Sequence, residues 1–157
     1  KGFDLLAELM DSFLDSCVRE NDVKAAKMLM IMSETFYAMD REGHEGERIY
    51  MQVRIKEHPI WSNLHFWEEA LLLAAREEVE KTLERMERPS EADFNVAYQN
   101  ICFGQLGSYA LNLQNFGVSQ HDTEEFIKKM SFLLHLKPQM LSMLIENSRA
   151  TAAKEET

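Results

Sequence analysis

Aromatic and histidine side chains are crowded into one short stretch of the sequence, EHPIWSNLHFWEEALLLAA at 57–75. Such a cluster could form a ligand pocket, a partner-binding surface or the core of a helical domain. A buried tryptophan needs a hydrogen-bond partner for its indole N–H, which favours partial burial near a helix junction. We interpret the stretch mainly as core. Because interfaces are enriched in tryptophan, we keep four of its residues as candidate partner-binding residues: His58, Trp61, Phe66 and Trp67.

Histidine and acidic residues are numerous enough to raise the question of a metal site. The chain has five histidines and 27 acidic residues. A di-iron helical bundle needs Glu-x-x-His on two helices, and no histidine here has a glutamate three residues before it. The HExxH motif and the zinc spacings of cysteine and histidine are absent from the sequence too. We therefore predict no metal and no cofactor.

Nucleophilic catalysis and phosphate binding have equally weak signals. Cys102 is the candidate nucleophile, with His121 or His135 as the candidate base, but no cysteine-protease signature surrounds it. A thiol between apolar neighbours on a packed helix is typically inert. The sequence FGQLG at 103–107 lacks the lysine of a P-loop and the third glycine of a dinucleotide fingerprint. We predict no catalytic residue and a protein that is not an enzyme.

The charge of the chain narrows the classes of partner. Its 27 acidic and 17 basic residues give a net charge of −10. Binding to nucleic acid or to anionic lipid needs a basic surface, so neither is an expected partner. The apolar runs are too short to span a bilayer, which predicts no direct membrane insertion. The charge favours a monomer, and two cysteines without a CxxC motif favour a reduced, cytoplasmic protein.

Helical periodicity runs along the whole chain, which has only three prolines and six glycines. We predict an all-α fold of six to seven helices, arranged as a mostly antiparallel bundle or a short solenoid. A length of 157 residues suits one domain, placed at 1–149 with a frayed tail at 150–157. The expected helices are 3–20, 22–39, 47–57, 62–87, 91–116, 120–134 and 138–149, with the second, fourth and fifth central.

The first two helices have the most informative apolar patterns. Helix one carries a broad apolar stripe that we assign to the core: Phe3, Leu6, Leu9, Met10, Phe13 and Cys17. Its opposite face is acidic and is a candidate partner-binding surface: Asp4, Glu8, Asp11 and Asp15. Helix two is apolar all round at 28–32, which predicts a central position, and Gly43 is expected to end it.

Polar residues and glycines predict where the later helices begin and end. We expect a cap from Ser62 on helix four, a capping box of Ser90 and Asp93 on helix five, and a cap from Ser119 or Asp122 on helix six. Gly117 is the expected stop of helix five. Inside helix five, Gly104 and Gly107 are predicted to let another helix approach closely, because each costs on the order of 1 kcal/mol relative to alanine.

Three segments carry a resemblance to a known family: AAKMLMIMSETFYAM (25–39), HPIWSNLHFWEEAL (58–71) and NICFGQLGSYALNLQNFG (100–117). They resemble the helical domain of the SET-binding-factor family, which are myotubularin-related pseudophosphatases. In that family the domain lies between a DENN module and a phosphatase-like region. This sequence is closer to a small, uncharacterised group of cytoplasmic proteins that carry the same domain, and the resemblance covers about 13–136.

The resemblance implies a cytoplasmic interaction module near Rab exchange and membrane traffic, with a small GTPase or its regulator as a partner. It supplies no catalytic residue. We interpret the sequence as a piece of a longer protein whose function is that of a scaffold or adaptor. Part of a guanine-nucleotide-exchange unit and a purely architectural linker domain are the alternatives. Candidate surfaces are the acidic face of helix one, the exposed side of helix four, Trp61 and a methionine-lined groove.

Overall fold

The computed structural model describes residues 2–39 and 46–155, and the chain divides into two compact units, Lys1–Phe66 and Trp67–Thr157. Seven α-helices and one pair of short strands form the described part, which confirms the all-α prediction. The elements are α1 (Gly2–Glu20), α2 (Val23–Thr35), β1 (Tyr37–Met39), β2 (Arg48–Tyr50), α3 (Gln52–Ile55), a 3-10 turn (Pro59–Ser62), α4 (Leu64–Arg85), α5 (Glu91–Asn115), α6 (Gln120–Leu133) and α7 (Pro138–Glu155). The single domain over 1–149 stays a prediction.

The first unit is built on a hairpin of α1 and α2. Asn21 ends α1 in the left-handed conformation, with φ of 53°, and the N–H of Asp22 closes the turn on the carbonyl oxygen of Cys17 at 2.9 Å. The side chain of Asp22 then accepts a bond from the N–H of Ala25 and caps α2. The helix α1 packs on α2 and α3 through its buried side chains: Ala7, Met10, Leu14 and Cys17.

The predicted end of helix two and the predicted helix 47–57 are both wrong in part. The helix α2 ends at Thr35, and Tyr37–Met39 pairs antiparallel with Arg48–Tyr50. The rings of Tyr37 and Tyr50 lie 5.7 Å apart in register, and aromatic cross-strand pairs stabilise such a ladder. Of the helix expected at 47–57, α3 (Gln52–Ile55) is helical. The stop predicted at Gly43 lies outside the described residues.

Helix two, predicted to be central because 28–32 is apolar all round, is buried on one face. It buries Ala26, Lys27, Met30 and Ser33, whereas Met28, Ile31 and Met32 are exposed. The buried positions are three or four residues apart, so they share one face of the helix. The apolar residues of 28–32 therefore lie on two faces of α2, and one of these faces is in the core of the unit.

The second unit has α5, α6 and α7 packed against one another. The predicted capping box of Ser90 and Asp93 is present, and Ser119 rather than Asp122 caps α6. Gly117 ends α5 with φ of 85°, as expected for a C-terminal glycine. At α4 the expected cap is wrong, because Asn63 and not Ser62 accepts the bond, from the N–H of His65.

Two further expectations about the second unit are modified by the structure. The helix α7 continues to Glu155, beyond the end expected at 149. A Cβ placed on Gly107 would lie 3.5 Å from Cδ2 of Leu144 on α7, whereas one placed on Gly104 has no neighbour within 4 Å. The close approach of helices therefore occurs at Gly107 and not at Gly104. Across the described ranges, no helix is long and apolar enough to cross a membrane.

Candidate functional site

The tryptophan of the first unit lies inside the aromatic cluster and not on its surface. Trp61 is 1% exposed, and its indole Nε1 donates a hydrogen bond of 2.8 Å to the carbonyl oxygen of Ile55. The buried ring of Phe66 meets the indole edge-on, with centroids 5.5 Å apart. Edge-to-face packing and a satisfied N–H are what a buried indole requires. This burial supports the core interpretation of Trp61 and Phe66, and their role in partner binding stays a prediction.

His58 connects the 3-10 turn with α1. Its side chain is only 7% exposed, and its Nδ1 accepts a bond of 3.2 Å from the backbone N–H of Ile60. Its Nε2 lies 3.2 Å from Oδ1 of Asp15. A tautomer with the proton on Nε2 satisfies both contacts, because Nδ1 must then be the acceptor. His58 is thus placed as a structural link to the acidic face of α1.

Trp67 belongs to the core of the second unit. It is fully buried, and its ring lies 6.3 Å from that of Tyr109 and 5.7 Å from that of Phe116. The hydroxyl of Tyr109 donates a bond of 3.0 Å to the carbonyl oxygen of Ala70, so α5 is tied to α4 at this point. The residues predicted together as one cluster are therefore divided between the cores of two units.

The acidic face of α1 is partly engaged within its own unit. Oδ1 of Asp4 lies 3.6 Å from Nη2 of Arg54, and both side chains are about half exposed. Asp11 is half-buried, its Oδ1 has no hydrogen-bond partner, and burial raises the pKa of its carboxyl group. Glu8 and Asp15 are exposed. Within this face, Asp4 therefore lies against Arg54 and Asp15 lies against His58, whereas Glu8 is exposed to solvent.

Sequence reasoning missed an exposed apolar surface on α1. Leu5, Leu9 and Phe13 are each more than half exposed, and we call these three residues the α1 strip. Leu6, Leu9 and Phe13 were predicted to be core and all three are exposed, so that assignment is wrong. Residues four apart lie on one side of a helix, so the strip is a regular face and not scattered side chains. The available signal was the excessive breadth of the apolar stripe, which exceeds what one neighbouring helix can cover.

A second exposed apolar surface lies on α2. Met28 and Ile31 are more than half exposed and Met32 is 40% exposed, and we call these three residues the α2 face. Their spacing of three and four residues places them on one side of the helix. Unbranched methionine side chains adapt to differently shaped partners. The two methionines lie on a helix face, and the methionine-lined groove stays a prediction.

The exposed side of α4 has a different character. Leu72 and Leu83 are exposed there, and the exposed charged residues Arg76 and Glu80 lie between them along the helix. A solvated helix face typically mixes charge with isolated apolar residues in this way. Partner binding by this side of α4 stays a prediction.

The groups that could do chemistry are held in unreactive settings. Both cysteines are buried, and burial raises the pKa of the thiols of Cys17 and Cys102. A protonated thiol is a poor nucleophile. Burial, with a hydrogen bond to Cys102, raises the pKa of Tyr98 to about 12. Within 2–39 and 46–155, no three histidine, cysteine or acidic side chains are grouped to hold a metal ion.

Comparisons with known proteins give a family and two curated relatives. The model of the family described as "SBF2: Myotubularin protein" matches residues 1–151. The human "Uncharacterized protein KIAA0513" is 29% identical over 140 aligned positions, which cover 76% of this chain and 33% of the relative. The "Serine/threonine-protein kinase pakD" of Dictyostelium discoideum is 25% identical over 178 aligned positions, which cover 96% of this chain and 10% of the relative. The chain thus spans a third or less of either relative, and no solved structure matches it.

Proposed function

Since the chain belongs to the SBF2 family of myotubularin proteins, we propose that it is a non-enzymatic protein-interaction module of a cytoplasmic scaffold or adaptor. The membership confirms the resemblance to the SET-binding-factor domain. The proposed setting is membrane traffic or small-GTPase regulation, with a small GTPase or its regulator as the partner and a monomeric module as the binding unit. Neither nucleic acid nor a lipid bilayer is part of the proposal, because the net charge of −10 repels both phosphate surfaces.

The observation that carries this proposal is the presence of two regular apolar faces in the first unit, the α1 strip and the α2 face. Single exposed apolar residues are common on monomers, but contiguous faces rimmed by charge are typical of binding surfaces. Removing apolar surface from water is favourable by roughly 25 cal/mol per Å², so covering such a face with a partner stabilises a complex. The two thiols, one in each unit, are buried, whereas these apolar groups are presented to solvent.

A purely architectural role within a longer protein is the second candidate. It is favoured by one observation, that the match covers only 33% of one relative and 10% of the other. In that case the chain would connect other domains and bind no separate partner. Part of a guanine-nucleotide-exchange unit is a narrower form of the first proposal. In that case the partner is a GTPase that the chain does not bind preferentially in the active, GTP-loaded state.

Capture from cytosol tests the proposal. The purified chain would be immobilised and exposed to cytosol loaded with GDP or with a non-hydrolysable GTP analogue, and retained proteins would be identified by mass spectrometry. Phe13→Ser and Ile31→Ser remove one exposed apolar residue from each face. Val96→Ser is the matched control, since Val96 is an exposed valine on α5.

The outcomes separate the candidates. A partner that Val96→Ser retains and either surface variant loses supports an interaction module. A GTPase retained in one nucleotide state supports the link to GTPase regulation. If all four proteins retain the same set, the module proposal fails and the architectural role is favoured.

A further inference from the structure

The helix α1 has three distinct faces. Its buried residues form one face, the α1 strip lies beside them, and the acidic residues lie on the remaining side. We call Asp4, Glu8, Asp11 and Asp15 the acidic row. With 3.6 residues per turn, the middle of the strip is about 130° around the helix from the middle of this row. The strip and the acidic row are therefore separate faces of α1, and Glu8, about 60° around the helix from Leu5, is the acidic residue nearest to the strip.

Charge is unbalanced on this helix. The sequence of α1 contains five acidic residues and a single arginine, Arg19, in its last turn. Within the acidic row, Asp4 forms an ion pair with Arg54 at 3.6 Å, and both side chains are about half exposed. Glu8, in the middle of the row, is exposed.

We propose that the α1 strip binds a basic amphipathic helix of a partner protein. Apolar residues of that helix pack on Leu5, Leu9 and Phe13, and its lysines or arginines reach Glu8 at the edge of the strip. The strip extends about 12 Å along the axis, which matches roughly two turns of a docked helix. The inference rests on the proposed interaction function and specifies the chemistry of the occupant and the face that it covers.

Charge complementarity selects this occupant over others. A second copy of the chain would bring together two bodies of net charge −10, which repel each other. An anionic membrane surface would be repelled for the same reason. A basic helix is attracted by the whole field of the chain and gains an apolar contact at the strip, in the helix-in-groove manner of recognition.

A model peptide tests the proposal on the whole chain. The probe is a synthetic helix of about 18 residues, made of leucine and lysine with all leucines on one face. A scrambled peptide of the same composition and an amphipathic leucine–glutamate peptide are the controls. Calorimetry gives the affinity, and amide chemical shifts of the labelled chain give the location of the bound peptide.

The expected result is binding of the amphipathic basic peptide alone, with shifts concentrated on α1. Phe13→Ser is expected to weaken binding about tenfold, as for a central contact residue. Val18→Ser, a matched change at an exposed residue of α1 outside the strip, is expected to stay within about twofold. Glu8→Gln is expected to reduce both the affinity and its dependence on salt.

Several results would overturn the inference: equal binding of the scrambled or acidic peptide, a footprint away from α1, equal losses in Phe13→Ser and Val18→Ser, or sedimentation showing a dimer that Phe13→Ser dissociates.

Failure of the proposed interaction function gives different results. If the peptide misses α1 while Ile31→Ser still loses cytosolic partners, the inference fails and the interaction function stands. If the peptide binds α1 but no cytosolic partner depends on either face, the interaction function fails.

Discussion

The indole N–H of Trp61 and the carbonyl oxygen of Ile55 form a hydrogen bond of 2.8 Å inside the first unit. This bond satisfies the one polar group of the side chain, which lets the whole indole be buried. Trp61, the most conspicuous candidate anchor in the sequence, is therefore buried in its unit, and the exposed apolar faces are formed by less conspicuous leucine, phenylalanine, methionine and isoleucine residues on α1 and α2.

Truncation of Trp61 should lower stability strongly. We expect Trp61→Ala to reduce the free energy of unfolding by about 3–5 kcal/mol, because it leaves a cavity in the core. Trp61→Phe should cost less, about 0.5–1.5 kcal/mol for the lost hydrogen bond, since the carbonyl oxygen of Ile55 still accepts a bond of 3.0 Å from the N–H of His58. Urea unfolding followed by far-UV circular dichroism measures both. A cost below about 1 kcal/mol for Trp61→Ala would contradict its place in the core.

The two glycines of α5 should respond differently to large side chains. Gly104→Ala is expected to stabilise the chain by about 1 kcal/mol, because the new methyl group meets no neighbour and alanine favours the helix. Gly107→Ala is expected to be tolerated, because its methyl group would contact Leu144 at an ordinary 3.5 Å. Gly107→Leu should destabilise by about 1–3 kcal/mol through overpacking against α7. Equal effects of leucine at both positions would contradict the close approach at Gly107.

The turn between α6 and α7 offers a stabilising change. His135 has φ of 53°, and the N–H of Leu136 bonds to the carbonyl oxygen of Ser131 at 2.9 Å, which is the geometry of a helix end that prefers glycine. We expect His135→Gly to raise the free energy of unfolding by about 0.5–1 kcal/mol. Gly117→Ala is the converse control, because φ of 85° at Gly117 strains any side chain, and it should lower stability. Thermal unfolding shows whether each variant is more or less stable than the wild type.

An ion pair in the second unit should make stability depend on pH. Hydrogen bonds from Arg149, at 2.7 and 2.8 Å, and one from Gln120 lower the pKa of Glu124 from 4.5 to about 2. Because the pKa is lower in the folded state, the contribution is complete above pH 4.5 and is lost as the pH falls towards 2.

Arg149→Met should therefore reduce the melting temperature more at neutral pH than near pH 2. Plots of melting temperature against pH for the wild type and the variant should converge as the pH falls towards 2. Thermal unfolding across this range is the measurement. Lys128→Met is the comparison: Lys128 pairs with Glu125 at 2.7 Å, both side chains are about half exposed and solvent screens the pair, so a smaller change in the pH dependence is expected. Parallel profiles for the wild type and Arg149→Met would rule out the pair as the source of the pH dependence.

Local signals predicted the local features of the fold well. Ser90 with Asp93, Ser119 and Gly117 mark helix ends through bonds to residues within one turn, so their sequence is sufficient. The pairing of Tyr37 with Tyr50 was missed because it joins residues far apart along the chain and competes with helical periodicity that continues through Thr35 and beyond.

The candidate site was harder to predict than the fold. Apolar periodicity states which side of a helix avoids water, but not which side has a neighbour to cover it. Leu9 and Phe13 therefore looked identical in kind to Met10 and Leu14, although only the second pair is buried. Tryptophan is common both in cores and at interfaces, so the sequence left the role of Trp61 open, and its burial in the structure supports the core.

The most direct measurement is the affinity of the chain for a partner recovered by capture, compared between Phe13→Ser and Trp61→Phe at a temperature where both variants are folded. We predict that Phe13→Ser weakens binding about tenfold and that Trp61→Phe leaves it within about twofold, because the α1 strip forms the contact and the tryptophan supports the fold. The opposite result, intact binding by Phe13→Ser and loss in a folded Trp61→Phe, would contradict this account and place the interface at the aromatic cluster.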